Sequence, residues 1–347
     1  MTFGVLAAVL FGISAPLSKL LLEGIDPIVL AGLLYIGAGL CMAVLLLAGR
    51  GLSRVESEAR LGRADRPWLI GAIFAGGVAG PILLLLGLQL THAATASLLL
   101  NFEVVATGLI AFLLFKESVG RTTWLAIAAV AAGGILLSVD LSSGFRFSPG
   151  ALLVIGACVA WGFDNNFTGR ISLKDPRRIV LVKGLAAGSF SLVLGLALGR
   201  PLPAWDGLLY ALLVGAVCYG ASIALFVRSL RGVGAARTGA LFGLAPFVGV
   251  ALSLIIFRQL PGWTFFVALF LMLLAASLLA RERHEHAHKH VAVVHAHRHS
   301  HDDDHHTHFH EGGVNGVAHV HEHAHEEQIH SHEHRPDPHH RHAHDGS

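Results

Sequence analysis

The chain has 347 residues, 54% of them hydrophobic and only 14% charged, with a formal net charge of +2 at pH 7 and a mean hydropathy of +0.63. A soluble globular protein keeps charged residues near a quarter of its composition and spreads them over a surface that must face water everywhere. Residues 2–280 form a series of apolar stretches and residues 281–347 have almost no apolar content, which excludes a single soluble domain and predicts a membrane-embedded body followed by a polar tail.

A helix needs about 20 apolar residues to cross a hydrocarbon core. Ten such runs follow one another: Phe3–Leu22, Ile28–Ala48, Trp68–Leu88, Ala93–Phe115, Thr122–Val139, Ala151–Thr168, Ile179–Leu198, Leu208–Val227, Val233–Phe257 and Trp263–Ala280. The first has no basic segment before it and is read as a span, not as a cleavable signal. Cys41, Cys158 and Cys218 fall inside apolar runs, which gives no disulfide framework.

Lysine and arginine in short loops are retained on the cytoplasmic side. With ten crossings, one face collects fourteen basic residues, from Arg50 through Lys116, Arg170, Lys174 and Lys183 to Arg231, whereas the other holds four, Lys19, Arg146, Arg200 and Arg258. Both termini are therefore predicted to be cytoplasmic.

At a shift of 141 residues the stretch from His92 lies against the stretch from Val233, with small residues and the long apolar block in step. A second echo links FGISAPLSKL, from Phe11, with WGFDNNFTGR, from Trp161. Each unit contains five crossings, and an odd number makes the second copy enter the membrane from the opposite side. The predicted fold is an all-α polytopic membrane protein of ten helices in two inverted five-helix repeats, residues 1–140 and 149–281, with a disordered tail over residues 282–347.

At these residues the chain resembles the drug/metabolite transporter superfamily, in its EamA-like branch. The sharpest piece is ASLLLNFEVV in the fourth run, beginning at Ala96, with Glu117 following at the end of that run. Val104 replaces the proline of the family pattern, and at the 141-residue shift Arg258 stands opposite Glu117. The resemblance implies a secondary transporter and makes Glu117 a gate candidate; relatives are associated with amino acids, metabolites, sugars and drugs.

Ionisable groups inside a bilayer cost several kcal/mol unless they are paired or wetted, so they are functional candidates by default. Glu103 lies near the middle of the fourth run, with Asn101 about 200° away round the helix. Asp164, Asn165 and Asn166 form a polar cluster in the sixth run that a lipid-facing helix would not tolerate. The functional reading has Glu103 and Asp164 line a cavity and bind a coupling proton or cationic group, while the asparagines hydrogen-bond substrate. The bland reading is an interhelical clamp, and Asp164 then pairs with Arg170 or Lys174. Tyr35, Trp161 and Tyr219 read first as packing.

Of the 24 histidines only His92 precedes the tail. The rest recur at alternate positions, as in His284, His286, His288 and His290, then His295, His297, His299 and His301, then His319, His321, His323 and His325. Imidazoles beside carboxylates suit divalent Zn, Ni, Co or Cu, and the composition cannot bury a core. The tail is predicted to bind such ions loosely on a chain without fixed structure.

The reading is an inner-membrane secondary transporter, outward-directed, for a small organic solute. It needs no cofactor, and its partners are that solute, lipid and the tail's metal ions, with a homodimer left open and no nucleic acid. Divalent-metal efflux or a metal-sensing membrane protein is the alternative. No Walker-type loop occurs, and no nucleophile with a base at plausible spacing points to an enzyme.

Overall fold

The computed structural model describes residues 1–52, 61–116, 120–140, 146–171, 174–281, 284–290, 293–299, 319–325 and 328–334. The gate candidate Glu117 and the ligand candidate His301 lie outside them. Seven helices among the described residues are long and apolar enough to cross a membrane: Thr2–Leu21, Pro27–Ala48, Arg66–Leu90, Ala93–Phe115, Arg121–Ser138, Pro176–Ala197 and Trp205–Ser229. Three more complete the predicted ten. Pro149–Arg170, the sixth crossing, has its hydropathy lowered by the Asp164–Asn166 cluster. The ninth ends in the short helix Ala245–Phe257, and the tenth is Trp263–Arg281.

Helical backbone runs through Ser222–Phe242, across the junction of the eighth and ninth crossings. Ser229 Oγ and Thr238 Oγ1 are nevertheless 3.0 Å apart. Nine residues of straight helix would separate them by about 13.5 Å, so the chain turns back between these residues and the two crossings lie side by side.

Local chemistry sets the helix starts. Asp26 Oδ1 accepts from Ile28 N at 2.9 Å and Asp175 Oδ1 accepts from Arg177 N at 3.0 Å, each just before a proline in the first turn. Ser148 Oγ accepts from Ala151 N at 3.4 Å ahead of Pro149. A short side-chain acceptor satisfies an otherwise orphaned donor there, and the proline has no donor to lose.

Inverted pseudo-symmetry shows in the packing. The second crossing lies on the seventh and the fifth on the tenth. The third packs on the sixth as the eighth packs on the first, and the fourth meets the sixth as the ninth meets the first. A Cβ on Gly32 would meet Leu192 N at 2.7 Å, and one on Gly188 would meet Ile36 N at 2.6 Å, so backbone touches backbone where the second and seventh helices cross. Such close approach is how helices gain contact where lipid provides no hydrophobic drive.

Two irregularities repeat at a fixed offset. Seven-residue π-helical segments occupy Ile73–Ala79 in the third crossing and Gly215–Ala221 in the eighth, 142 residues apart. The fourth and ninth crossings end on left-handed residues, Lys116 at φ 56° and Arg258 at φ 50°, also 142 apart. This corrects the 141-residue registration at that point: Arg258 answers Lys116, and Gln259 stands opposite Glu117.

The fourth crossing is broken. A turn at Leu100–Asn101 separates Ala93–Leu99 from Phe102–Phe115, and a turn at Gly243–Leu244 divides the ninth in the same way. Neither break is part of the sequence expectation, which has both runs continuous.

In the tail, His284–His290 pairs antiparallel with Gln328–His334, and Val293–His299 with His319–His325. The composition predicts a chain without fixed structure there. The two findings meet in the size of these ribbons, since a two-stranded ribbon without a buried face is marginal in water.

Candidate functional site

The polar residues of the fourth and sixth crossings converge beside the π-helical segment of the third. Breaking the fourth helix at Asn101 places Glu103 in the first turn of the half-helix Phe102–Phe115. Unpaired backbone N–H groups and the positive end of the helix dipole favour a carboxylate at such a position. Asn165 Nδ2 donates to Glu103 Oε1 at 2.8 Å and to Thr107 Oγ1 at 3.1 Å. One turn away from the same helix, Asn166 Nδ2 donates to Thr107 O at 3.1 Å and to Gly162 O at 2.8 Å.

Asp164, buried, faces the other way, into the angle between the third and seventh crossings. It makes an ion pair with Lys183 of the seventh crossing and accepts from Thr168 Oγ1 at 3.0 Å. The expected partners are corrected by this geometry. Lys174 pairs with Asp65 at 3.6 Å, and the Arg170 guanidinium stands 5.7 Å from the centre of the Trp68 ring and 4.8 Å from that of Phe115. Lys183 had been counted with the basic residues of the adjoining loop. It lies two turns inside Pro176–Ala197, where an ammonium requires a partner. Glu103 is within electrostatic reach of both Asp164 and Lys183.

The π-helical segment supplies the floor. The Gly76 carbonyl accepts from Tyr35 Oη at 2.6 Å and from Trp161 Nε1 at 3.0 Å. A Cβ at Gly76 would collide with the Asp164 carboxyl, and one at Gly80 would lie 2.7 Å from Trp161 Nε1. Only glycine lets these groups approach so closely.

Aromatic rings extend from this point into the other repeat. Tyr35 lies 6.0 Å from Tyr219, Tyr219 5.8 Å from Phe11, and Phe11 5.1 Å from Phe242. Charge is confined to one half, because Cys218, 142 residues beyond Gly76, and Ala245, 142 beyond Glu103, are apolar and buried.

Asn101 takes no part in this cluster. Its Nδ2 donates to Leu98 O at 2.9 Å, which caps the broken end of its own helix. Glu103, Asp164, Asn165 and Asn166 are thus brought together and Asn101 is not. Sequence reasoning missed Lys183, Thr107 and the Gly76 carbonyl. A lysine inside the seventh apolar run was the available signal for the first; nothing in the sequence announced a π-helical segment.

Other polar groups close the ends of helices. Lys19 Nζ donates to the carbonyl of Leu88 and, at 3.4 and 3.2 Å, to those of Gln89 and Thr91, capping the third crossing. His92 Nδ1 is 2.5 Å from Gln259 Oε1 and ties the start of the fourth crossing to the end of the ninth. Among the described residues no group of three or more His, Cys, Asp or Glu could hold a metal ion.

Comparison with known proteins gives a consistent result. The profile of the EamA-like transporter family matches residues 1–139 and again 148–281. An uncharacterized transporter from Methanothermobacter thermautotrophicus is 32% identical over 271 residues, covering 73% of this chain and 78% of its own. The uncharacterized inner membrane transporter YedA of Escherichia coli K12 is 28% identical over 267 residues, covering 72% of this chain and 81% of its own. A solved crystal structure superposes with a TM-score of 0.58 at 19% identity, over 80% of this chain and 94% of that one.

Proposed function

The chain belongs to the EamA-like transporter family, and from that premise we propose that it is a secondary transporter exporting a small organic solute across the inner membrane. The observation that carries the proposal is the cluster of Glu103, Asn165, Asp164 and Lys183 at a broken helix beside a π-helical segment. Discontinuous helices near the midplane, at the interface of inverted repeats, are where transporters of this architecture place their ligand sites.

The chemistry divides among the residues as follows. Glu103 binds the coupling proton or a cationic group of the solute, and Asn165 and Thr107 hydrogen-bond it. Asp164 and Lys183 hold the sixth and seventh crossings together from within the bilayer. Glutamate, aspartate and lysine together carry one net negative charge, so a proton or a solute cation completes the site. The aromatic row from Tyr35 to Phe242 forms an apolar wall opposite.

The basic bias supports cytoplasmic termini. It places the tail where alternating imidazoles buffer Zn, Ni, Co or Cu ions, and Glu117 remains a gate candidate on the same face. Metal efflux has less support, because the membrane body offers two carboxylates and a lysine in place of a ligand set.

A strain lacking the gene, challenged with a metabolite panel and with transition-metal salts, tests the reading. The expected outcome is sensitivity to, or intracellular accumulation of, one class of organic solute, restored by the intact gene but not by Glu103→Gln. Sensitivity to metal salts alone would replace solute export with metal efflux.

A further inference from the structure

The register of the tail ribbons carries more than the histidine count. In the outer ribbon His284 stands opposite His334, His286 opposite His332 and His288 opposite His330. In the inner ribbon His295 stands opposite His323, His297 opposite His321 and His299 opposite His319. All six of these histidine positions find a histidine across the ladder.

Side chains alternate between the faces of a strand with a period of two, so histidines spaced by two residues share one face. Registers of matching parity put the histidines of both strands on the same face; a slip of one residue would put Ala, Glu, Val, Ser, Arg or Lys positions opposite them. Directly opposed positions have Cβ atoms about 5 Å apart, and successive rungs on one face are about 7 Å apart. An imidazole reaching from each side spans the first distance through a metal ion, with metal–nitrogen bonds of about 2.0–2.1 Å.

A two-stranded ribbon of seven residues is marginal in water, and a ribbon with neither face buried specifies its register weakly. Without an ion, these histidines would have little reason to stay in step. An ion held from both strands supplies the missing cross-link, and binding then becomes folding.

We infer that each ribbon is a metal-binding ladder in which the ligand set is the rung of two opposed histidines, for a divalent transition ion such as Ni or Zn. This rests on the proposal that the tail binds such ions and replaces loose association along a flexible chain with a fixed cross-strand pairing.

The test is Ni2+ titration of the purified full-length chain at pH 7.5 by calorimetry, with variants chosen by rung. His297→Ala and His321→Ala share a rung; His297→Ala and His332→Ala do not. The ladder predicts that each single variant loses one bound ion, that the same-rung double loses no more than either single, and that the two-ribbon double loses two. Non-additivity within a rung is the signature of a shared site. If both doubles lose metal equally, binding follows histidine number and the ladder is overturned while the tail's metal binding stands. If the full chain binds no more Ni2+ than one ending at Arg283, the metal-binding reading itself fails and takes the ladder with it.

Discussion

Glu103 and Lys183 show how differently two intramembrane charges can be read from sequence. Glu103 stood out because the fourth run is apolar on both sides of it, whereas Lys183 was hidden by its nearness to Arg177 and Arg178 at the start of the seventh. Asp164 was legible as a polar residue that cannot face lipid, but its partner was not, because pairing across three helices depends on how they pack. Two outcomes follow at this scale. Glu103→Gln keeps shape and hydrogen-bonding capacity and removes the charge, so uphill transport is expected to fail while detergent-extracted protein remains monodisperse; a solute gradient as steep as wild type would make Glu103 a structural clamp. Lys183→Met alone leaves Asp164 unpaired, at about 3–5 kcal/mol. The double change Asp164→Asn with Lys183→Met removes both charges and is expected to recover thermal stability in detergent but not transport. A double variant no more stable than Lys183→Met would show that the ion pair is not what holds these helices together.

At the scale of elements, the ten crossings follow directly from apolar run length, because a bilayer imposes that length on every helix. What hydropathy cannot see is where a helix departs from regular geometry. The π-helical segments Ile73–Ala79 and Gly215–Ala221 are as apolar as their flanks, and the break at Leu100–Asn101 is marked only by one asparagine. These irregularities free backbone groups, and they sit where the sixth and seventh crossings press on the third and the first and second press on the eighth. Insertions of this kind concentrate at functional sites. Gly76→Ala puts a methyl group where the Asp164 carboxyl lies, and overpacking of that sort costs about 1–3 kcal/mol. The expected result is a lowered melting temperature together with lost transport, whereas Gly239→Ala, where a Cβ meets nothing within 4 Å, is expected to change neither. Equal behaviour of the two variants in a thermal-shift assay would contradict the packing described around Gly76.

Over the whole molecule, two repeats of one fold have diverged into a charged half and an apolar half. The repeat was legible because small residues and apolar blocks stay in step, and its register slipped by one because no single sequence match marks the αL caps Lys116 and Arg258. The tail was legible in composition alone; its strand register was not, since alternation is satisfied by any even shift. Orientation is tested by reporter fusions after Ser347 and after Arg66, both expected on the cytoplasmic side, with one after Ser143 on the opposite side. Ending the chain at Arg283 removes all 23 tail histidines and no crossing, so membrane insertion is expected to be unchanged. Zn2+ retained by the intact chain at pH 7.5 is expected to be released at pH 5.5, because imidazole with an ordinary pKa of about 6.5 becomes a cation there and cannot ligate. Equal retention at both pH values would remove imidazole as the ligand.

The central claim is that the charged cluster of one repeat moves an organic solute. Purified protein in proteoliposomes loaded with a mixture of labelled metabolites and divalent metal ions tests it most directly, with mass spectrometry of the external medium over time. The expected result is that at least one organic solute leaves the wild-type vesicles faster than vesicles bearing Glu103→Gln, while metal ions leave both at the same rate. Identical release of every organic solute from the two preparations, with metal ions leaving the wild-type vesicles faster, would contradict it.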